Sequence, residues 1–334
     1  MPEIKGWIDG RLLQVPVSMA PPLRLVNSYL LRDAESDSYT VIDPGPRSPV
    51  TEKEWADVWE ALQISPKQIR QIVVTHHHPD HMGLAGYLQE LSGANVRMSK
   101  TAYEESLRMW PEDRSMNEAL PDFYREHGMP EELASQLPVH LESFYTQVHP
   151  RPEVTFVSEN EELWMGGWSW KPVETGGHAS GHLSFYNRQE QVILCGDAVL
   201  PQISPNISYY PGGDDQPLHT FLSGLVKLGQ LEVKQAFPGH RHPFDSFRAR
   251  TQRLLEHHEE RLEKVSGLLQ QGGPHTGFEI CAELFGTKLG IHQMRFAMSE
   301  SLAHLAELVR RGEAAAERAG SGSIRFIALK YVKA

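Results

Sequence analysis

The chain has 334 residues, 40% hydrophobic and 22% charged, enough for one large α/β domain with an appendage. Its formal net charge of −11 argues against a global attraction to nucleic acid or to an anionic membrane. Two cysteines, Cys195 and Cys281, make no disulfide framework, no basic segment before an apolar run opens the chain, and no apolar run could span a bilayer, so the expected address is cytoplasmic.

Residues 10 to 45 read as strands. Leu12 to Val17 is an apolar run, Arg24 to Leu31 alternates, and Tyr39 to Ile42 is stopped by Asp43-Pro44-Gly45-Pro46. Pro49 to Leu62 has Trp55, Val58, Trp59 and Leu62 at helical spacing. Ile72 to Thr75 is a buried strand, Met82 to Leu91 a helix, and Val96 to Ser99 another strand. Strands alternating with helices predict α/β layers.

Residues 101 to 150 are rich in Glu, Met and aromatics, and predict two or three short helices broken by Pro111, Pro121, Pro130 and Pro138. Ten acidic residues stand there against three basic ones, a balance of 3 − 10 = −7. The segment reads as a helical insertion with its own small core, and also as a candidate lid. Strands return at Val154 to Val157, Leu163 to Val173, His182 to Tyr186 and Gln191 to Cys195, the last two joined by a hairpin turn at Asn187 to Glu190. An irregular loop from Pro201 to Pro217 precedes a helix, Leu218 to Leu228, and a strand, Val233 to Phe237.

After a long polar helix over 245 to 270, Phe278 to Phe285 and Ile291 to Arg311 read as helices. Two extended runs ending in Ile324 to Val332 follow, joined at Gly320-Ser321-Gly322. That is a winged-helix layout. The expected division is 1–272 for the catalytic domain, with 101–150 inserted, and 273–334 for the tail.

Seventeen histidines are many, and their positions carry meaning. His76, His78, Asp80 and His81 follow the β-branched run at 72 to 75 directly. Residues two apart at a strand end point the same way, so His76 and His78 can share one ion. Asp80 and His81, past Pro79, can reach a second. Imidazole with carboxylate suits zinc, iron or manganese. His77 should point away. Further donors stand at Gly177-His178, Gly196-Asp197 and Gly239-His240.

In this order the motifs resemble the metallo-β-lactamase-fold hydrolases, over about residues 10 to 245. The resemblance implies a four-layer αβ/βα sandwich. It also implies two divalent metal ions, zinc first, with iron or manganese as alternatives. His76, His78 and His178 would hold one ion, Asp80, His81 and His240 the other, and Asp197 both. Asp43 matches an early Asp-x-Gly and reads either as a support or as a turn former. Gly176 and Ala179 replace the Pro and Thr that flank this Gly-His in the family, which predicts a looser loop. His182 is expected to orient a ligand.

Ions roughly 3.5–4 Å apart would yield a bridging hydroxide at neutral pH, with Asp80 orienting it and taking its proton. Tyr209 and Tyr210 are candidate donors to an oxyanion, or packing residues. Arg241 and His242 are candidate substrate contacts, or an exposed loop.

The fold hosts thioesterases, lactonases, β-lactamases, ribonucleases, a persulfide dioxygenase and flavodiiron proteins. A flavin domain does not fit in 274–334. The preferred expectation is hydrolysis of a small acyl thioester, lactone or ester. The rival is a metal-dependent endoribonuclease, because the tail carries eight basic and six acidic residues (8 − 6 = +2) and resembles that of the lactamase-B2-like branch of the family, one member of which is associated with RNA cleavage. The −7 insertion would repel a polyanion, so the tail is read as a packing or homodimerisation element. A non-catalytic ligand sensor is the third reading. The expected partner is a small molecule, not a membrane.

Overall fold

The computed structural model describes residues 2–320 and 322–329. Ser321 and the expected extension of the last strand over 330–332 lie outside the described residues.

The first sheet runs in chain order: β1 (Lys5–Trp7), β2 (Leu12–Ser18), β3 (Leu25–Asp33), β4 (Ser38–Ile42), β5 (Ile69–Val73), β6 (Asn95–Met98) and β7 (Val154–Phe156). Pairing is antiparallel through β4 and parallel from there on. The second sheet is β8 (Leu163–Met165), β9 (Trp168–Thr175), β10 (His182–Asn187), β11 (Val192–Gly196) and β12 (Gln235–Pro238), in the order β12-β11-β10-β9-β8. The run expected from Leu163 to Val173 is thus two strands, turned at Gly166-Gly167.

Tyr29, Leu31 and Val73 from one sheet meet Leu183, Phe185, Leu194 and Phe237 from the other in one buried cluster. Sheets that pair their inner faces need their outer faces covered as well, because parallel strands are apolar on both sides. Helices do this. Helix α1 (Pro49–Leu62) begins in a capping box between Ser48 and Thr51 and buries Trp55, Val58 and Trp59. Trp55 stacks on Trp59 at 4.6 Å and donates its Nε1–H to the Pro44 carbonyl at 2.7 Å.

Helix α2 (Pro79–Met82) is separate from α3 (Ala85–Ser92), where one helix from Met82 was expected. The Leu84 N–H donates instead to Gly45, at 2.8 Å, which interrupts the helical ladder.

The insertion folds as α4 (Lys100–Met109), α5 (Met116–Glu126), α6 (Glu131–Ala134) and α7 (Leu137–Tyr145), more helix than expected. Pro111, Pro130 and Pro138 bound helices, but Pro121 sits inside α5. Burial of Leu120, Pro121 and Tyr124 outweighs the lost backbone bond there.

Beyond the second sheet lie α8 (Pro217–Gly229) and α9 (Phe247–Leu269). The tail consists of α10 (Gly277–Phe285), α11 (Ile291–Arg310) and a small sheet of β13 (His275–Thr276), β14 (Ala314–Arg318) and β15 (Ile324–Ala328), in the order β13-β15-β14. Helix α11 packs on α7, α8 and α9 as well as α10, so the tail is tied to the insertion and to the second sheet's helices. The layers are helix, sheet, sheet and helix. No helix among the described residues is long and apolar enough to cross a membrane.

Trp55 fills the space between α1 and the first sheet. Trp55→Ala should cost about 3–5 kcal/mol of stability, measured by urea denaturation followed by circular dichroism.

Candidate metal centre

The two sheets bring four loop segments to one edge of the sandwich. The loop after β5 carries His76, His78, Asp80 and His81, and the β9–β10 loop carries His178. Asp197 follows β11, and His240 follows β12. Strands β11 and β12 are parallel neighbours, so Asp197 and His240 leave the sheet side by side. At Gly239, between them, a Cβ would collide with Asp197 Oδ1 and the His81 ring, so only glycine lets this backbone pass.

Four of the histidines have Nδ1 tied down and Nε2 presented. His178 Nδ1–H donates to the Asn206 carbonyl at 2.8 Å, and His240 Nδ1–H to that of Leu25 at 2.9 Å. His81 Nδ1 is 2.9 Å from Asp43 Oδ2. Thr75 Oγ1 donates to Asp43 at 2.7 Å, so it accepts from His76 Nδ1, 2.9 Å away. His76 Nε2 then lies bare, 3.1 Å from His78 Nδ1. Asp197 Oδ2 is 3.3 Å from His240 Nε2 and 3.5 Å from both His81 Nε2 and His178 Nε2. Asp80 Oδ2 is 3.2 Å from His240 Nε2 and 3.7 Å from His81 Nε2.

The electrostatics differ across the site. Burial, and then the neighbouring imidazoles, push His76 and His78 well below the usual histidine range. Burial lowers His178 too, against the pull of Asp197. These three are neutral, with lone pairs to give. On the other side burial opposes charge, but Asp197 and Asp80 outweigh it and raise His240 to about 10. The same carboxylates, with Asp43, raise His81. Burial opposes charge on Asp197 also, but His240 and His81 pull it well below the usual carboxylate range.

The donors fit divalent cations. Nε2 of His81, His178 and His240 and Oδ1 of Asp197 are buried and reach no hydrogen-bond geometry among the described residues. Leaving buried polar atoms so is costly, and cations held among these groups would satisfy all four. The donor atoms of His76, His78 and His178 converge, as do those of Asp80, His81 and His240, and those of His76, His81 and Asp197. His77 belongs to none of these groups; it is buried, with its pKa pushed down to about 3 by burial and His178.

Supports surround the donors. Asp43, at φ 48°, accepts from the Thr75 N–H as well as from its hydroxyl and His81. His182 Nε2 accepts the Asp197 N–H at 3.1 Å and holds that turn. The loop at Gly177 is close-packed rather than loose, since a Cβ there would overlap the Pro217 carbonyl and Phe221.

A fourth grouping, His258, Glu300 and His304, lies between α9 and α11. The Glu300 carbonyl only accepts, so His304 Nδ1 carries the proton at 2.7 Å. Its Nε2 then accepts from His258 Nδ1 at 3.2 Å. The Glu300 carboxylate pairs with Arg261. This is an internal polar knot joining two helices.

Five of the donors, His78, Asp80, His178, Asp197 and His240, line a cavity of about 720 Å³, and His76 and His81 are not on its wall. Met109, Trp110, Leu120 and Phe144 of the insertion form one wall. Phe285, Leu289, His292 and Phe296 form another, and Met19 to Leu23 contribute a third. The tail's share was missed in sequence. Its helical period marks the Met294–Met298–Leu302 face as buried and leaves His292 and Phe296 on what looks like a solvated side. Tyr210 reaches the wall, but its hydroxyl donates to Glu105 at 2.6 Å. Tyr209 is not on the wall; it packs on Phe123 at 5.6 Å. Arg241 and His242 stand exposed and outside the lining.

A family profile for the metallo-beta-lactamase superfamily matches residues 21–240. The chain belongs to that superfamily. A second profile, for the metallo-beta-lactamase-like C-terminal domain, matches residues 262–329. The chain is similar to "Probable metallo-hydrolase YqjP" of Bacillus subtilis, 26% identical over 89% of this chain and 91% of that one. "Hydroxyacylglutathione hydrolase GloC" of Haemophilus influenzae is 24% identical over 58% of this chain and 74% of its own. Among solved structures, a metallo-beta-lactamase family protein from Thermus thermophilus superposes with a TM-score of 0.84. It is 32% identical over 96% of this chain and 99% of that one. A beta-lactamase domain protein from Burkholderia ambifaria gives 0.87 at 27% identity, over 98% of this chain and 94% of that one. The four-layer sandwich expected from the motifs is the fold of this superfamily.

Two outcomes check the site. Protein stripped by a chelator should melt below the zinc-loaded form, as a ligand that binds only the folded state requires. Asp43→Asn, which disturbs the seat of His81, should weaken metal affinity by about 10–100-fold in a competition titration.

Proposed function

We propose that this metallo-hydrolase cleaves a small acyl thioester, with a lactone or simple ester as the nearest relatives. His76, His78 and His178 would hold one divalent cation and Asp80, His81 and His240 the other, with Asp197 between them. Two such cations supply a water that deprotonates near neutral pH and a positive field for the attacked carbonyl. The nitrogen and oxygen donor set suits zinc first, then iron or manganese.

The chain's own groups do the rest. Asp80 is the more exposed carboxylate of the cluster, its side chain 20% accessible against 7% for Asp197. It is therefore the group placed to orient an attacking water and accept its proton. Thr75 and Asp43 keep His76 and His81 in the tautomers that present Nε2, as the Asn206 and Leu25 carbonyls do for His178 and His240. The aromatic and methionine walls exclude water and hold an apolar acyl group. Tyr210 takes no part in this reading, because its proton is committed to Glu105; nor does Tyr209, which lies off the wall.

One observation carries the reading: five of the seven proposed metal donors, His78, Asp80, His178, Asp197 and His240, line a walled cavity rather than an open surface. The names of the hydroxyacylglutathione hydrolase relatives agree with thioester cleavage. A polyanion is disfavoured, because the insertion with its balance of −7 walls the cavity.

The test is a panel of aryl and alkyl thioesters, lactones and single-stranded RNA offered to zinc-loaded protein. Thioesters should turn over fastest, and Asp80→Ala should lower kcat by about 10²–10⁴-fold. Turnover of RNA alone, or of nothing on the panel, overturns the reading.

A further inference from the structure

Helix α11 turns two faces to different tasks. One buries Met294, Met298 and Leu302. On the other, His292, Arg295, Phe296 and Ser299 line the cavity. Arg295 is the unusual member. Its guanidinium lies 4.6 Å from the centre of the Phe296 ring and 5.5 Å from that of Phe144. Among the described residues, no carboxylate or carbonyl accepts a hydrogen bond from it. The carboxylates that share this wall are engaged: Glu300 with Arg261, and Asp80 with His81 and His240. Burial lowers the guanidinium's own pKa.

Two imidazoles sit beside it. The His140 and His292 rings are 5.3 Å apart. Burial, then Arg295, lowers both, His140 to about 4, so both stay neutral and can offer an N–H. His140 Nε2 is buried with no hydrogen-bond partner among the described residues. His292 lines the same cavity as Asp80. Arg295 follows His292 by three residues, about 4.5 Å further along the helix. The wall therefore runs from the metal donors, past His292, to an unpaired guanidinium with a bare imidazole nitrogen nearby, all among aromatic rings.

We propose that Arg295, with His140, forms an anion subsite that selects acyl substrates bearing a terminal anionic oxygen group beyond an apolar spacer. A guanidinium is suited to this, since it meets a carboxylate or a phosphate with paired N–H donors and stacks on rings while doing so. Phe144 and Phe296 flank the spacer. The proposal rests on the acyl hydrolase reading for its chemistry, though not for its binding.

The experiment has two arms on zinc-loaded protein. In the first, aryl thioesters of glutarate, adipate and pimelate are compared with their terminal carboxamides and with terminal phosphonates. The acids should exceed the amides by about tenfold or more in kcat/KM, the scale of a hydrogen bond to a charged group, and the difference should lie in KM. A larger preference for the phosphonates would assign the subsite to phosphate. The acid-to-amide ratio should collapse to about 1 in Arg295→Met and recover in part in Arg295→Lys. In the second arm, calorimetry follows unreactive amide analogues of the same acyl groups in wild type and both variants, and the same selectivity should appear in Kd. A ratio near 1 in the wild-type protein, or one preserved in Arg295→Met with its circular dichroism unchanged, overturns the subsite. Selective binding without turnover would overturn the hydrolase reading and leave the subsite standing.

Discussion

The Asp43 carboxylate joins the two strands on which the site is built. It ends β4 and reaches across to the neighbouring strand end, where it takes the N–H and hydroxyl of Thr75 and the Nδ1–H of His81. Three donors on one buried carboxylate fix the loop after β5 relative to the first sheet. The consequence passes along the network, since the Thr75 hydroxyl, having given its proton to Asp43, must accept from His76. One acidic side chain thus sets the tautomer of a histidine on each side of the donor cluster. The left-handed φ of Asp43 is the backbone cost of aiming that carboxylate inward.

The second sheet contributes by a different device. Asp197 and His240 follow parallel strands, and their separation is the separation of neighbouring strands rather than the outcome of loop packing. Tyr29 and Asn27 of the first sheet hydrogen-bond the Pro238 carbonyl, at 2.7 and 3.0 Å, and lock the two sheets together beside His240. The donor cluster therefore spans a seam between rigid layers. Buried nitrogens that face one another unpaired are expensive, and such a seam is the kind of scaffold that can hold them in place.

Much of this was legible in sequence because ligands cluster where strands end. His76 to His81 follow a β-branched run, and Asp197 and His240 follow short apolar runs marked by glycine. Period-two and period-3.6 patterns found most strands and helices. What they could not find depends on tertiary contact. The break between α2 and α3 follows from a bond between Leu84 and Gly45, far apart in sequence. Pro121 lies within a helix because its neighbours are buried. Tyr210 looked available until Glu105, on another helix, took its proton. The role of α11 was hidden for a related reason: a helix period shows which face is packed and cannot say whether the opposite face meets solvent or an enclosed space.

That last feature bears on when the site comes into being. Every donor lies at or before His240, whereas Phe285, His292, Arg295 and Phe296 are made later. As the chain leaves the ribosome, the donor cluster can assemble while one side of the cavity is still missing. At that stage the donors would stand without the wall that α10 and α11 later supply.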